Sequence, residues 1–145
     1  MKFNKTFDGG NFNDYIKYLN SIKNYISMEL YDFISNPERH DLWEKSLHDS
    51  RIEKIEFDHN FETDMSNMTI TLLGESRKFI LRFLKIKKYK IKQIAENDGY
   101  TDLITYEIYV KNKKEKTLEF RAEFGFGYGE IMIICKEIAI EEKIY

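Results

Sequence analysis

Apolar residues in the first third of the chain recur at helical spacing. Phe12, Ile16, Leu19, Ile22 or Lys23, Ile26, Leu30 and Phe33 follow one another at steps of three or four. Such steps line them along one face of a 3.6-residue repeat. The spacing predicts one helix from about Phe12 to Ile34, roughly 35 Å long at about 1.5 Å per residue. Asp8-Gly9-Gly10-Asn11 supplies turn and N-cap chemistry before it. Ser35-Asn36-Pro37 ends it, because a residue preceding proline is driven out of the helical region. Asn36 as cap, with Pro37 at the first helical position, then opens a shorter helix to about Lys45, marked by Leu42 and Trp43.

After Ser46 the period changes to two. Arg51 to Phe57 reads as a strand closed by an Asp58-His59-Asn60 turn, and Met68, Ile70 and Leu72 alternate with Thr69 and Thr71. Gly74-Glu75-Ser76 is the next turn. Phe79, Leu81 and Phe83 alternate with apolar Ile80 and Leu84, the pattern of a strand central in its sheet. Beyond Lys85 the chain turns basic, and Asn97-Asp98-Gly99 marks a tight turn before Ile104, Tyr106, Ile108 and Val110 resume the alternation. Asn112 to Glu115 reads as a hairpin loop. Leu118, Phe120, Ala122, Phe124 and Phe126 share a face, and Gly125, Gly127 and Gly129 indicate a bend near that strand's end. Ile131 to Ile140 is apolar enough for a core strand. Helices first and short-looped strands afterwards predict a single α+β domain over residues 1–145, helical over 1–46 and strand-rich over 47–145. The expected form is a mostly antiparallel sheet of five to seven strands with the helices on one face.

Composition narrows the class. At 145 residues, 42% hydrophobic and 15% aromatic, the chain carries enough apolar side chains for a core and too few residues for two full domains. One cysteine and one proline exclude a disulfide scaffold, a cysteine-only zinc site and a Pro-rich chain. No stretch of about 18 apolar residues is present and the N-terminus lacks a secretory pattern, so a cytoplasmic protein without a membrane partner is expected. A net charge of −2 gives no global attraction to nucleic acid. The local distribution is uneven, however. Between Glu75 and Glu96 there is no acid, whereas Arg77, Lys78, Arg82, Lys85, Lys87, Lys88, Lys90 and Lys92 are all basic. With Tyr89 interleaved, this segment, 77–92, can track a phosphate backbone. Cross-strand neutralisation by Glu107, Glu119 or Glu123, or lysines guarding an edge strand, is an adequate structural explanation.

Candidate chemistry is sparse. His48, Asp49 and Arg51 form the densest polar cluster, placed where helix gives way to strand. An imidazole beside a carboxylate suits a general base, and the same residues also suit a structural corner in which they bond backbone and an acid. His40, His48, His59 and Cys135 lack metal-ligand spacing, and Cys135 within Ile131-Met132-Ile133-Ile134-Cys135 reads as a small buried hydrophobe. The glycines at 125, 127 and 129 alternate with aromatics between strands and match neither phosphate-loop pattern. Tyr15, Tyr18, Tyr25 and Tyr31 stand on or beside the helical stripe, where tyrosines either meet a partner or cover a sheet edge with hydroxyls toward solvent.

The segment Leu47-His48-Asp49-Ser50-Arg51-Ile52, followed by the strand Asp102-Leu103-Ile104-Thr105-Tyr106-Glu107-Ile108, resembles small uncharacterised bacterial proteins that open on an LHD-x-x-I motif. The resemblance covers residues 46–140. It implies proteins of the kind found as immunity partners of polymorphic toxins: small, cytosolic and non-enzymatic, with no catalytic residues to carry over. Three functions are therefore weighed. The first is a non-enzymatic protein-binding module, an immunity protein neutralising a toxin, with Tyr15, Tyr18, Tyr25, Lys85, Lys87, Lys88 and Lys90 as its interface and no cofactor or metal. The second is a nucleic-acid-binding module using the basic segment. The third is a small enzyme centred on His48 and Asp49.

Overall fold

A computed structural model describes residues 12–40, 44–92, 102–125 and 129–145. The turns expected at Asp8–Asn11 and Asn97–Gly99, the apolar marks Leu42 and Trp43, and Phe126, Gly127 and Tyr128 lie outside the described residues. The helical stripe does not form a continuous rod: α1 (Phe12–Ser21) leads to a 3-10 turn, Lys23–Tyr25, and then to α2 (Met28–Ile34). The break falls at Ile26 and Ser27, whose ψ angles of 162° and 155° are extended. Ser27 is the local reason. Its hydroxyl accepts the amide of Leu30 at 3.1 Å, the capping geometry that starts a new helix. The apolar face survives the break, since Tyr15, Leu19, Ile22, Leu30 and Ile34 are all buried. Asn36 caps as expected, its side chain accepting the amide of Glu38 at 3.0 Å with Pro37 in first position. Only the 3-10 turn Pro37–Arg39 follows, not a helix to Lys45, because His40 leaves helical geometry with φ −123°.

Eight strands follow among the described residues: β1 (Arg51–Asn60), β2 (Met65–Leu73), β3 (Arg77–Leu84), β4 (Lys88–Lys92), β5 (Leu103–Asn112), β6 (Thr117–Phe124), β7 (Gly129–Cys135) and β8 (Glu137–Ile144). The α+β class and antiparallel pairing hold, but the strands make two four-stranded sheets, ordered β1-β2-β3-β8 and β4-β7-β6-β5, in place of one sheet of five to seven. A shared bend accounts for the difference. Leu84↔Glu137 closes the β3–β8 ladder and Lys88↔Ile134 opens the β4–β7 ladder. Between them Lys85 takes φ 56°, the Lys87 amide bonds the Ile134 carbonyl and the Lys136 amide bonds the Leu84 carbonyl. One antiparallel ribbon thus passes from one sheet into the other. The apolar run Ile131 to Ile140 is divided at Lys136 for the same reason. β1 runs through the expected turn at Asp58–Asn60. The chain reverses one step later, where the Asn60 side chain accepts the amides of Glu62 and Thr63 and Asp64 adopts φ 54°.

The core lies between the sheets. Met68, Ile70 and Leu72 from β2 and Phe79, Leu81 and Phe83 from β3 face Phe120, Ala122, Ile131 and Ile133 of the second sheet, all buried. The rings of Phe83 and Phe120 meet at 4.9 Å. β3 is interior to its sheet, as its pattern predicted. The helices do not lie flat on one sheet face: α1 packs along β5 through its tyrosines and α2 packs against β8. Helical and strand parts thereby share one apolar cluster. No helix of the described residues is long and apolar enough to cross a membrane.

Candidate functional site

The two edges of the second sheet are treated in opposite ways. At β5 the outward backbone is capped by side chains. The Tyr15 hydroxyl donates to the Ile108 carbonyl at 3.1 Å and accepts the Ile108 amide at 2.8 Å, and the Tyr18 hydroxyl accepts the Val110 amide at 2.9 Å. Further along, the Asp49 amide bonds the Leu103 carbonyl and the Leu103 amide bonds the Ser50 carbonyl, each at 2.8 Å. Every such group left bare and buried would cost free energy, so these residues stand in for a missing strand. Burial pushes the Tyr15 hydroxyl pKa well above its ordinary value and raises that of Tyr18. Tyr15 is 0% exposed, which removes it from the expected interface. Tyr18 is half-buried and fixed to Val110, and it too leaves the interface. The hydroxyls point at the sheet and not, as one expectation had it, at solvent. Tyr25 stays exposed, under the ammonium of Lys113, beside a groove of about 480 Å³ between the α1–α2 connection and β8. Tyr31 donates to Asn20.

The cluster His48, Asp49 and Arg51 belongs to this sealed edge. The His48 side chain is buried, with Nδ1 2.8 Å from the Ile104 carbonyl and Nε2 3.3 Å from the Asp49 carboxylate. A carbonyl only accepts, so Nδ1 carries a proton there. Asp49 sits at φ 63°, the Ser50 hydroxyl donates to Leu47, and Arg51 Nε bonds Asp102 at 2.9 Å. All these contacts join the 46–51 corner to itself or to the start of β5. His40 stacks on Tyr106 at 4.5 Å and His59 bonds Ser66, so the histidines occupy separate places. Among the described residues no group of three or more His, Cys, Asp or Glu is placed to hold a metal. Cys135 is buried, and burial pushes its thiol pKa up to about 12, the opposite of an activated nucleophile. Gly125, at φ 58°, makes the expected bend where β6 ends.

β4, at the other edge, is exposed along all five residues. No described residue pairs with its outer side. Its two faces differ chemically. Tyr89 and Ile91 pair with the buried Ile133 and Ile131 and so lie on the inward side, whereas Lys88, Lys90 and Lys92 pair with Ile134, Met132 and Glu130 on the other. Lys85 and Lys87 lead into the strand and are exposed too. The basic segment is therefore not one surface. Arg77 pairs with Glu142, Lys78 with Glu53 at 3.3 Å and Arg82 with Glu141 at 2.7 Å, so its first half is neutralised within the first sheet. In the second half, among the described residues, only Lys87 has an acid within reach, Glu115 at 3.9 Å. Two of the three acids expected to neutralise it are engaged elsewhere: Glu119 faces Arg121 and Lys111, and Glu107 is buried and accepts from the Tyr109 hydroxyl.

Beside β4 lies an apolar group that sequence reasoning missed. The Phe57 ring meets the Tyr89 ring at 5.4 Å, and Phe61 packs on His59 at 4.7 Å. Phe57 is 48% exposed, Tyr89 47% and Phe61 89%, with Met65 and Ile91 also open. An apolar residue at the tip of a polar hairpin, Phe61 before Glu62-Thr63-Asp64, was the available signal. Asp58, Glu62 and Asp64, close in sequence to Phe57 and Phe61, are exposed. The fold and site together define an α+β protein of two antiparallel sheets with one sealed and one open edge on the second sheet. Compared with known proteins, the chain matches no family model and no curated protein.

Proposed function

We propose that this chain is a non-enzymatic protein-binding module that engages its partner along β4 and the adjoining aromatic group, in the manner of an immunity protein neutralising a bacterial toxin. The observation that carries the reading is one fully exposed edge strand with Lys88, Lys90 and Lys92, without ion pairs among the described residues, on one face and Tyr89, in contact with the exposed Phe57 ring, on the other. Exposed aromatics rimmed by charge are the usual substance of protein interfaces, and unpaired lysines steer association with an acidic partner. A nucleic acid fits less well, because a net charge of −2 gives the chain no general attraction to a phosphate backbone. The anchoring of His48 and Asp49 in the sealed corner supports the non-enzymatic reading.

The test compares tagged wild-type protein with a Lys88→Glu/Lys90→Glu variant, both exposed to native lysate at moderate salt. A protein retained stoichiometrically by wild type and lost from the variant supports the reading. Nucleic acid retained by wild type and released by salt contradicts it.

A further inference from the structure

We propose that the occupant of β4 is an extended partner segment in which acidic and apolar residues alternate, added as a further strand to the second sheet. This deepens the reading above and rests on it. Each of the other sheet edges carries something of its own. β5 is capped by Tyr15, Tyr18 and the 46–51 corner, β8 lies against α2, and β1 is bridged to Asp102 at its start and bears Glu56 and Asp58 farther along. Among the described residues, β4 alone of these edges combines an unpaired outer side with a fully exposed strand. A strand edge offers amides and carbonyls in register, and an extended chain can bond them where a folded surface cannot.

The side-chain pattern then selects the chemistry of the added strand. Residues directly opposite each other on neighbouring strands share a face. A segment opposite Lys88, Lys90 and Lys92 therefore gains from carboxylates at alternate positions. Its intervening residues fall on the side of Tyr89 and Ile91, next to the exposed Phe57 ring, and gain from aliphatic or aromatic side chains. Sequence composition alone does not satisfy this requirement, since the same residues in blocks place acids against Tyr89 and Ile91.

Two fluorescently labelled peptides of equal composition, EVEIEVE and EEEEVVI, are titrated with the full chain and followed by anisotropy. A version of the first with alternate backbone nitrogens methylated and an oligothymidylate are run beside them. The alternating peptide is expected to bind about tenfold or more tighter than the blocked one, equivalent to about 1.4 kcal/mol. It should lose binding when methylated in the register that removes the donated amides, and weaken against Lys88→Glu/Lys90→Glu. Variant folding is checked by its melting temperature. Equal affinity for the two peptides overturns strand addition. So does failure of both to bind, and if the lysate partner is still lost on charge reversal, the protein-binding reading survives that failure. Oligothymidylate that binds tighter and displaces the alternating peptide overturns both.

Discussion

The β5 and β4 edges belong to one sheet, two strands apart, yet present opposite chemistry. Along β5, backbone groups of Leu103, Ile108 and Val110 are satisfied by Ser50, Asp49, Tyr15 and Tyr18. β4 shows lysine, tyrosine and isoleucine to solvent and no such cover among the described residues. Open edges invite unwanted pairing, and lysines are a common safeguard. Edge protection here is selective: one edge is closed by aromatic hydroxyls, and the other, among the described residues, is guarded by charge, which an acidic partner would turn into attraction.

The two edges share one core, so the largest effect comes from damaging it. Phe83→Ala removes a fully buried ring that packs on Phe120 and should cost about 3–5 kcal/mol by urea denaturation, loosening both edges together. Tyr15→Phe strikes the sealed edge alone. It keeps the ring but leaves the Ile108 amide and carbonyl unmet, for an expected loss of about 1–3 kcal/mol, a drop on the order of 2–12 °C in melting temperature.

Alkaline pH probes the same contact without mutation. The Tyr15 and Tyr106 hydroxyls have pKa values raised by burial, so the unfolded chain releases these protons first. Their contribution is fully present below the unfolded value of about 10 and declines as pH rises above it. Denaturation midpoints should fall as pH rises above about 10, more shallowly in Tyr15→Phe than in wild type. Tyr18→Phe, at a half-buried site accepting one amide, should cost less, about 0.5–1.5 kcal/mol. Smallest of all, Lys88→Glu/Lys90→Glu should change stability by no more than about 0.5 kcal/mol per site while abolishing partner capture. A large stability loss there would show that the lysines hold the fold, and the contrast between the edges would fail.

Local patterns were legible where one residue decides the outcome. Phe79, Leu81 and Phe83 announced an interior strand, and Asn36-Pro37 announced a capped turn. The break at Ser27 escaped because the apolar stripe continues through it: Leu30 and Ile34 remain on the buried side in either geometry. The division at Lys136 escaped because no glycine, proline or asparagine marks it. That bend comes from pairing with Lys85 to Lys87, a contact across the molecule. Half of the candidate site was readable as well. Lys85 to Lys92 stood out by charge, but the loss of Arg77, Lys78 and Arg82 to ion pairs depended on β8 and β1. Whether a tyrosine beside a helical stripe meets solvent or a strand edge depends on where β5 lies, and for that reason Tyr15 and Tyr18 were misplaced. Phe57 and Phe61 were overlooked because exposure of an apolar side chain is a property of its neighbours.

Residue-resolved amide hydrogen exchange, on the free chain and on its complex with the alternating peptide, tests the contrast most directly. Slow exchange is expected at Ile108 and Val110 in both states, and fast exchange at the outward amides of β4 that becomes slow only in the complex. Protected β4 amides in the free chain, or protection on binding that appears elsewhere and spares β4, would contradict it.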